Sequence, residues 1–306
     1  MPNFLDIIFV SYPTERTCQK CNFYPLLDAY IGKIFPAFPP HFSAGISSSG
    51  TLIDTSFIVD GVQTLFDQIK ESLATISGEA ALDFSLPQQF VLPTFALRAR
   101  VGGLILPFDV GAFFVSTVPG TFDSLSFDDF SGGLNYTAFG ADLRYAIIEG
   151  NLIIPQVSVG AGYIHHAQDL SFSAKKKVSY TGESSSSGEL STAAKLALST
   201  DTLFFSAQIS KQIFITTPYL GFRLLVTQST KDYDWNFTTV IDGQKNNNAS
   251  KSGKNSITED FDFANITPQI FGGATLKILL FELAAGVSYN PISNLWSGCI
   301  QTNFRM

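Results

Sequence analysis

Hydrophobic residues in this chain recur at every second position, and no stretch of about 18 apolar residues exists. The best candidates, 104–116 and 276–287, are each broken by a carboxylate, Asp109 or Glu282. A helical membrane span needs that unbroken length, whereas period-two alternation is the signature of a strand with one apolar face. Phe95, Leu97, Ala99 and Val101 stand on one parity with Arg98 and Arg100 on the other. Likewise Phe139, Ala141, Leu143, Tyr145 and Ile147 oppose Gly140, Asp142 and Arg144, and Leu220, Phe222 and Leu224 oppose Gly221 and Arg223. The alternation recurs near 40–54, 89–101, 106–117, 133–148, 152–172, 190–210, 214–229, 261–276, 281–290 and 295–306.

Stripes of this kind suit a soluble sandwich as well as a membrane barrel, so the connections decide. Short turns fall near Gly102–Leu104, Glu149–Asn151, Lys211–Gln212 and Ile278–Leu280. Long polar stretches fall at 117–132, 174–189 and 230–260. Short and long connections therefore alternate, as they do when one rim of a barrel is trimmed and the other decorated. The expectation is an all-β fold: an antiparallel up-and-down transmembrane β-barrel of about ten strands (range 8–14), both termini on one side. One amphipathic helix is predicted near 59–77, where Val59, Val62, Leu65, Phe66, Ile69, Leu73 and Ile76 follow helical spacing. A soluble lipocalin-like ligand carrier is the architectural alternative.

The final segment alternates Trp296, Ile300, Phe304 and Met306 with Ser297, Gln301, Asn303 and Arg305 up to the last residue. A closing strand with near-terminal aromatics resembles the signal read by outer-membrane assembly machinery, although here the terminal residue is Met. The amino terminus, MPNFLDIIFV, carries Asp6 and lacks a basic leading region, so it does not read as an export signal. Residues 1–22 are therefore expected to be an atypical segment ahead of a single barrel domain over 23–306, with the true start upstream.

Composition narrows function mainly by exclusion. A net charge of −7 is unsuited to neutralising phosphates, which excludes nucleic acid as the partner. Cys18 and Cys21 form a lone CxxC with no second pair. His165 and His166 point to opposite faces of a strand and cannot share one metal. Three histidines and no serine motif exclude an enzyme from the expectation, and no metal or cofactor is predicted.

The informative polar set is the inward parity of the barrel: Arg98, Arg100, Asp109, Asp142, Arg144, Arg223, Lys277 and Glu282. Both signs are present, so an ion-pair network in a narrow lumen is expected, with channel lining as the functional alternative. Gly140, Gly160, Gly162, Gly221, Gly273 and Gly286 on the same parity are expected to make room for those long side chains. Inward apolar residues such as Phe113, Ile164 and Phe271 read as scattered.

Several segments carry a family likeness. DAYIGK at 28–33, FPPHF at 38–42, VGGLILPFDVG at 101–111, GADLRYA at 140–146 and TPYLG at 217–221 resemble spirochaete, especially treponemal, outer-membrane barrel proteins of unassigned function. The resemblance covers the chain from Tyr24 onward. It implies a signal peptide, short periplasmic turns, surface-exposed long loops and no catalytic residue. The function that follows is an outer-membrane, small-solute pore bounded by outer-membrane lipid. The alternative is a closed surface-display or scaffold barrel whose long loops meet host or neighbouring molecules.

Overall fold

The computed structural model describes residues 41–54, 89–102, 108–117, 125–127, 130–151, 153–180, 186–241, 244–245, 251–264 and 266–305. The segments carrying Cys18, Cys21 and the predicted helix at 59–77 lie outside the described residues. So do residues 1–22 and Met306.

Ten antiparallel strands close into a ring. They are β1 (His41–Asp54), β2 (Gln89–Gly102), β3 (Phe108–Thr117), β5 (Phe130–Ile148), β6 (Gln156–Tyr180), β7 (Ser186–Ser210), β8 (Thr216–Ile241), β11 (Thr267–Ile278), β12 (Phe281–Asn290) and β13 (Leu295–Arg305). Three short elements decorate one rim: β4 (Leu125–Phe127), β9 (Gln244–Lys245) and β10 (Lys251–Glu259). Around the ring each strand pairs with its neighbour in the chain. β13 meets β1, and β8 passes to β11 because β9 and β10 pair with β8 itself. The pairing of β7 with β8 completes the circle. A closed ring leaves no barrel strand with an unpaired edge, which is the condition for β-structure to cross a membrane.

The stagger can be followed through the registers. Paired residues lead from Asp201 through His165, Phe139, Phe114, Leu97, Ile46, Thr302, Leu283, Leu276 and Thr216 to Ile213. The path returns twelve residues along the chain from where it began. Such a stagger over ten strands tilts them by about 40° from the barrel axis.

Alternation places apolar residues outside and polar ones inside. Val91, Phe95, Leu97, Phe114, Phe139, Phe205, Leu220, Phe222, Ile270 and Ile300 are all exposed on the outer surface. Aromatic rings close this belt at both levels. Toward the long-loop rim lie Tyr163, Tyr289 and Trp296, the last two with centroids 4.6 Å apart. Toward the short-turn rim Phe108 packs tilted against Tyr145 with centroids 5.5 Å apart, and Phe281 meets Phe304 edge to face at 5.9 Å. Two aromatic girdles bounding an apolar band match the two faces of a bilayer. Ser43 pairs with Arg305, so the first described strand starts and the last one ends at the short-turn rim, as the even strand count requires.

One sequence expectation is corrected on the long-loop rim. The polar stretches expected as loops at 174–189 and 230–260 are largely strand: β6 runs to Tyr180, β7 begins at Ser186, β8 continues to Ile241 and β10 lies along it. The segment at 117–132 likewise contains β4 paired with the start of β5. Above the apolar belt the outward residues turn polar, as at Asp232, Asp234 and Lys195, so the apolar stripe disappears although pairing continues. The β12–β13 connection at this rim is a tight turn over 291–294, the short gap between the predicted segments 281–290 and 295–306. Among the described residues the rim is asymmetric, with a tall wall from β5 to β10 and lower strand ends at β12, β13 and β1.

Candidate functional site inside the barrel

On the inner face of β2, β3 and β5 four of the sequence-predicted charges meet. Asp109 accepts from Arg100 Nη1 at 2.5 Å and from Arg144 Nη2 at 2.8 Å. Arg100 Nη2 reaches both oxygens of Asp142, at 2.7 and 2.9 Å, and Arg144 Nε stands 3.8 Å from the same carboxylate. Register explains the cluster: Asp109 is the cross-strand partner of Arg144, and Gly111 stands between Arg100 and Asp142. A Cβ on Gly111 would meet Arg100 Nη2 at 2.5 Å and Asp142 Oδ1 at 2.6 Å, so the glycine is what lets the bidentate pair close. The quartet is neutral, and Asp109 has no solvent exposure.

The other four predicted charges do not join it. Arg98 donates to Gln301 Oε1 across the width of β1. Arg223 lies between two rings, its guanidinium carbon 5.1 Å from the centroid of Phe204 and 5.0 Å from that of Phe271, and it donates to Gln269 Oε1 at 3.0 Å. Both ring faces present negative potential to the cation. Glu282 pairs with Arg305 at 3.2 Å near the short-turn rim, where Lys277 is its cross-strand partner.

Sequence reading missed three polar groups. Arg305 was read only as part of the polar stripe of the last strand, with no carboxylate assigned to it. Lys231 is buried and pairs with Glu259 of β10 at 2.7 Å, while Ser229 also donates to Glu259 at 3.0 Å. The signal existed, since Arg223, Ser229 and Lys231 share one parity, but residues 230–260 had been assigned to a loop. The third group is Tyr136, whose hydroxyl contacts Nδ1 of buried His166 at 2.7 Å. His165 faces outward instead, its Nδ1 2.8 Å from Asp201, which also accepts from Tyr163. The two histidines thus stand on opposite faces, as strand geometry requires.

The glycine expectation is corrected in an informative way. Gly160 does shelter a charged chain, with Arg144 Cγ 2.9 Å from where its Cβ would stand. Gly140, Gly162 and Gly221 instead receive the rings of their cross-strand partners Phe113, Phe204 and Phe271, and Gly273 receives the Tyr219 hydroxyl. Rings that lie flat over a glycine cover backbone and leave little empty volume. Those inward apolar residues are also not scattered. Leu92, Phe113, Val115, Tyr136, Ile164, Phe204 and Leu225 form one buried cluster contributed by β2, β3, β5, β6, β7 and β8. Val115, Ile164 and Leu225 have 0% exposure. Cys299 is buried beside Tyr219 and Phe271 in a smaller cluster.

Outside the belt, the tall wall carries a shallow trough of about 380 Å³, lined by Gly132, Gly133, Ser171, Ala193, Ala194 and Trp235 among others. Ser131 and Ser173 share a hydrogen bond at 2.7 Å on its margin, and Lys195 and Asp234 flank it.

No protein-family model and no curated relative matches the chain. Solved structures that overlay on it are outer-membrane barrels. The translocator domain of the autotransporter NalP from Neisseria meningitidis does so with a TM-score of 0.33 and 9% identity, over 99% of this chain and 98% of that one. The outer membrane protease OmpT from Escherichia coli gives 0.40 and 11%, over 88% and 95%. Ail, the attachment invasion locus protein of Yersinia pestis, gives 0.29 and 11%, over 87% and 97%. At these scores the overlays carry no statement about activity, and the closed ten-stranded barrel stands on its own strand pairing.

Proposed function

We propose that this chain is a closed outer-membrane barrel, without enzymatic activity, that acts as a membrane-anchored platform through the tall wall on its long-loop rim. The observation that carries this reading is the state of the inner face. Inward side chains on all ten strands are buried, from Ser47 on β1 and Thr94 on β2 through Asp109, Tyr136, Ile164, Thr202, Arg223, Gln269, Glu282 and Gln301. Side chains lining a water-filled channel keep part of their surface wet. Here an apolar cluster spanning β2 to β8 and a paired charge network on β2, β3 and β5 are buried on the inner face instead. The small-solute pore favoured by sequence would need a water-connected path past both.

A ten-stranded barrel is wide enough to be filled by side chains and little more. The wall then offers a broad sheet surface of small and hydroxyl-bearing residues with charges of both signs, which suits a polar partner such as a host or neighbouring surface molecule. The likeness to spirochaete barrels of unassigned function, insertion by the assembly machinery through the Trp296, Ile300 and Phe304 face of β13, and outer-membrane lipid as the surrounding partner belong to the same proposal.

Planar-bilayer recording of the refolded chain tests it. No steady conductance is expected from protein whose folded state is verified by heat-modifiable gel migration. A reproducible single-channel step, altered when Arg98, Arg100 and Arg223 are neutralised, would overturn the closed reading in favour of a pore.

A further inference from the structure

The short-turn rim is unexpectedly apolar. Three of its hairpin connections carry Ile153 and Ile154, then Ile213, Phe214 and Ile215, then Leu279 and Leu280, all exposed; Phe214 is 91% exposed and Leu279 99%. These turns are consecutive around the ring, and hydrogen bonds join them. Lys211 Nζ donates to Asn151 O at 3.0 Å, Lys277 N to Ile215 O at 2.8 Å and Arg305 N to Leu280 O at 2.8 Å. The apolar groups therefore form one fixed crescent under β5 to β13.

Backbone conformation adds a second, independent observation. Phe214 and Leu279 have φ of 53° and 54°. This left-handed region favours Gly and Asn, and a bulky side chain there is strained. The third residue with such a value, Asn294 at 53°, lies in the tight turn of the opposite rim and has the side chain that turn chemistry favours. On the short-turn rim, Phe and Leu occupy positions where a polar residue would be easier to accommodate and better hydrated.

The crescent also continues the lipid-facing belt. Ile209 and Pro218 end the outer stripe on β7 and β8, Ile278 ends it on β11, and the girdle ring Phe281 follows Leu280 directly. A tilted strand advances about 2.5 Å per residue along the barrel axis, so Phe214 and Leu279 sit roughly 5–10 Å beyond the lower girdle at most. That is the depth of the headgroup zone, a layer of about 5–7 Å outside the hydrocarbon. Glu149 and Lys211 in the same turns fit headgroup level and would not fit the acyl core.

We infer that this crescent is a lipid-binding keel: the turns bearing Ile153, Phe214 and Leu279 are immersed in the headgroup and upper acyl region of the leaflet on the short-turn side, fixing the seating depth of the barrel. The inference rests on the outer-membrane reading above. Its occupant is phospholipid because the crescent is continuous with the belt and shares its chemistry.

The test uses the full chain with Trp235 and Trp296 replaced by Phe, carrying one new tryptophan as Phe214→Trp, Leu279→Trp or, as belt reference, Phe222→Trp. Each protein is folded into phosphatidylcholine vesicles brominated either near the carbonyl end or near the methyl end of the acyl chain, with aqueous acrylamide as the opposing quencher. The 222 reference should be quenched by bromine at either depth and shielded from acrylamide. Both keel positions should lose most of their emission to the shallow bromines and little to the deep ones. Quenching of 214 and 279 by acrylamide alone, with 222 quenched by bromine, overturns the keel and leaves the barrel intact. Shielding of 214 and 279 from both quenchers overturns it too, in favour of a protein contact. Failure of bromine to quench 222 in a folded chain overturns the membrane reading and the keel with it.

Discussion

At the scale of residues, burial sets the stakes of the inner charges. Asp109 accepts from two arginines and has no contact with solvent, so removing its charge leaves two buried guanidinium groups short of a counter-ion. Breaking a buried pair in this way costs about 3–5 kcal/mol, far more than the loss of an exposed pair. Asp109→Asn should lower the unfolding free energy of the barrel by that order, seen as a lower urea midpoint in tryptophan emission in vesicles, whereas Asp169→Asn, whose exposed carboxylate lies 3.5 Å from Lys195, should leave the midpoint unchanged. The ring-over-glycine contacts make a second prediction. A Cβ at Gly162 would stand 2.4 Å from Phe204 Cζ and 2.6 Å from the Ala141 carbonyl. Gly162→Ala should cost about 1–3 kcal/mol through overpacking, and Phe204→Leu in the same chain should recover part of it. Simple additivity in that cycle would show that the ring is not what the glycine accommodates.

Among elements, the strands divide at the upper girdle. Below it the outer face is apolar and the inner face packed; above it β6, β7 and β8 continue as a wall of Ser, Thr, Lys and Asp held by backbone pairing and by pairs such as Lys231 with Glu259. The wall is expected to be dispensable for closure of the barrel. Replacing residues 172–194 by a two-residue Asn-Gly turn should leave heat-modifiable migration and membrane insertion intact while removing any adhesive or binding activity of the cells that carry it. Loss of folding in that deletion would mean that the wall nucleates the barrel rather than decorating it. The barrel strands themselves were legible: ten segments located by alternation correspond to the ten strands of the ring. The wall was not, because strands whose outward residues are polar lack the apolar stripe on which such reading depends.

For the molecule as a whole, the proposed closed state makes conductance a consequence of packing rather than of charge. Phe113→Ala, Ile164→Ala and Leu225→Ala together remove bulk from the middle of the buried cluster. If packing is what closes the barrel, this variant, selected for correct migration, should acquire steady conductance that the parent lacks. Continued silence would place the block elsewhere.

Period-two patterning together with the alternation of short and long connections pointed, without any structure, to an all-β barrel, to its inward parity, and to Arg98, Arg100, Asp109, Asp142, Arg144, Arg223, Lys277 and Glu282 on that parity. That information is local, because the face a side chain takes depends only on its place in its own strand. Tertiary structure alone decided which charges meet, since Asp109 finds Arg100 and Arg144 only through the registers of β2, β3 and β5. It also decided that Gly140, Gly162 and Gly221 receive rings rather than arginines, and that Phe113, Ile164 and Leu225 from three strands become one buried cluster. Those outcomes follow from the twelve-residue stagger of the closed ring. A stagger is a relation between strands, and no single strand's sequence contains it.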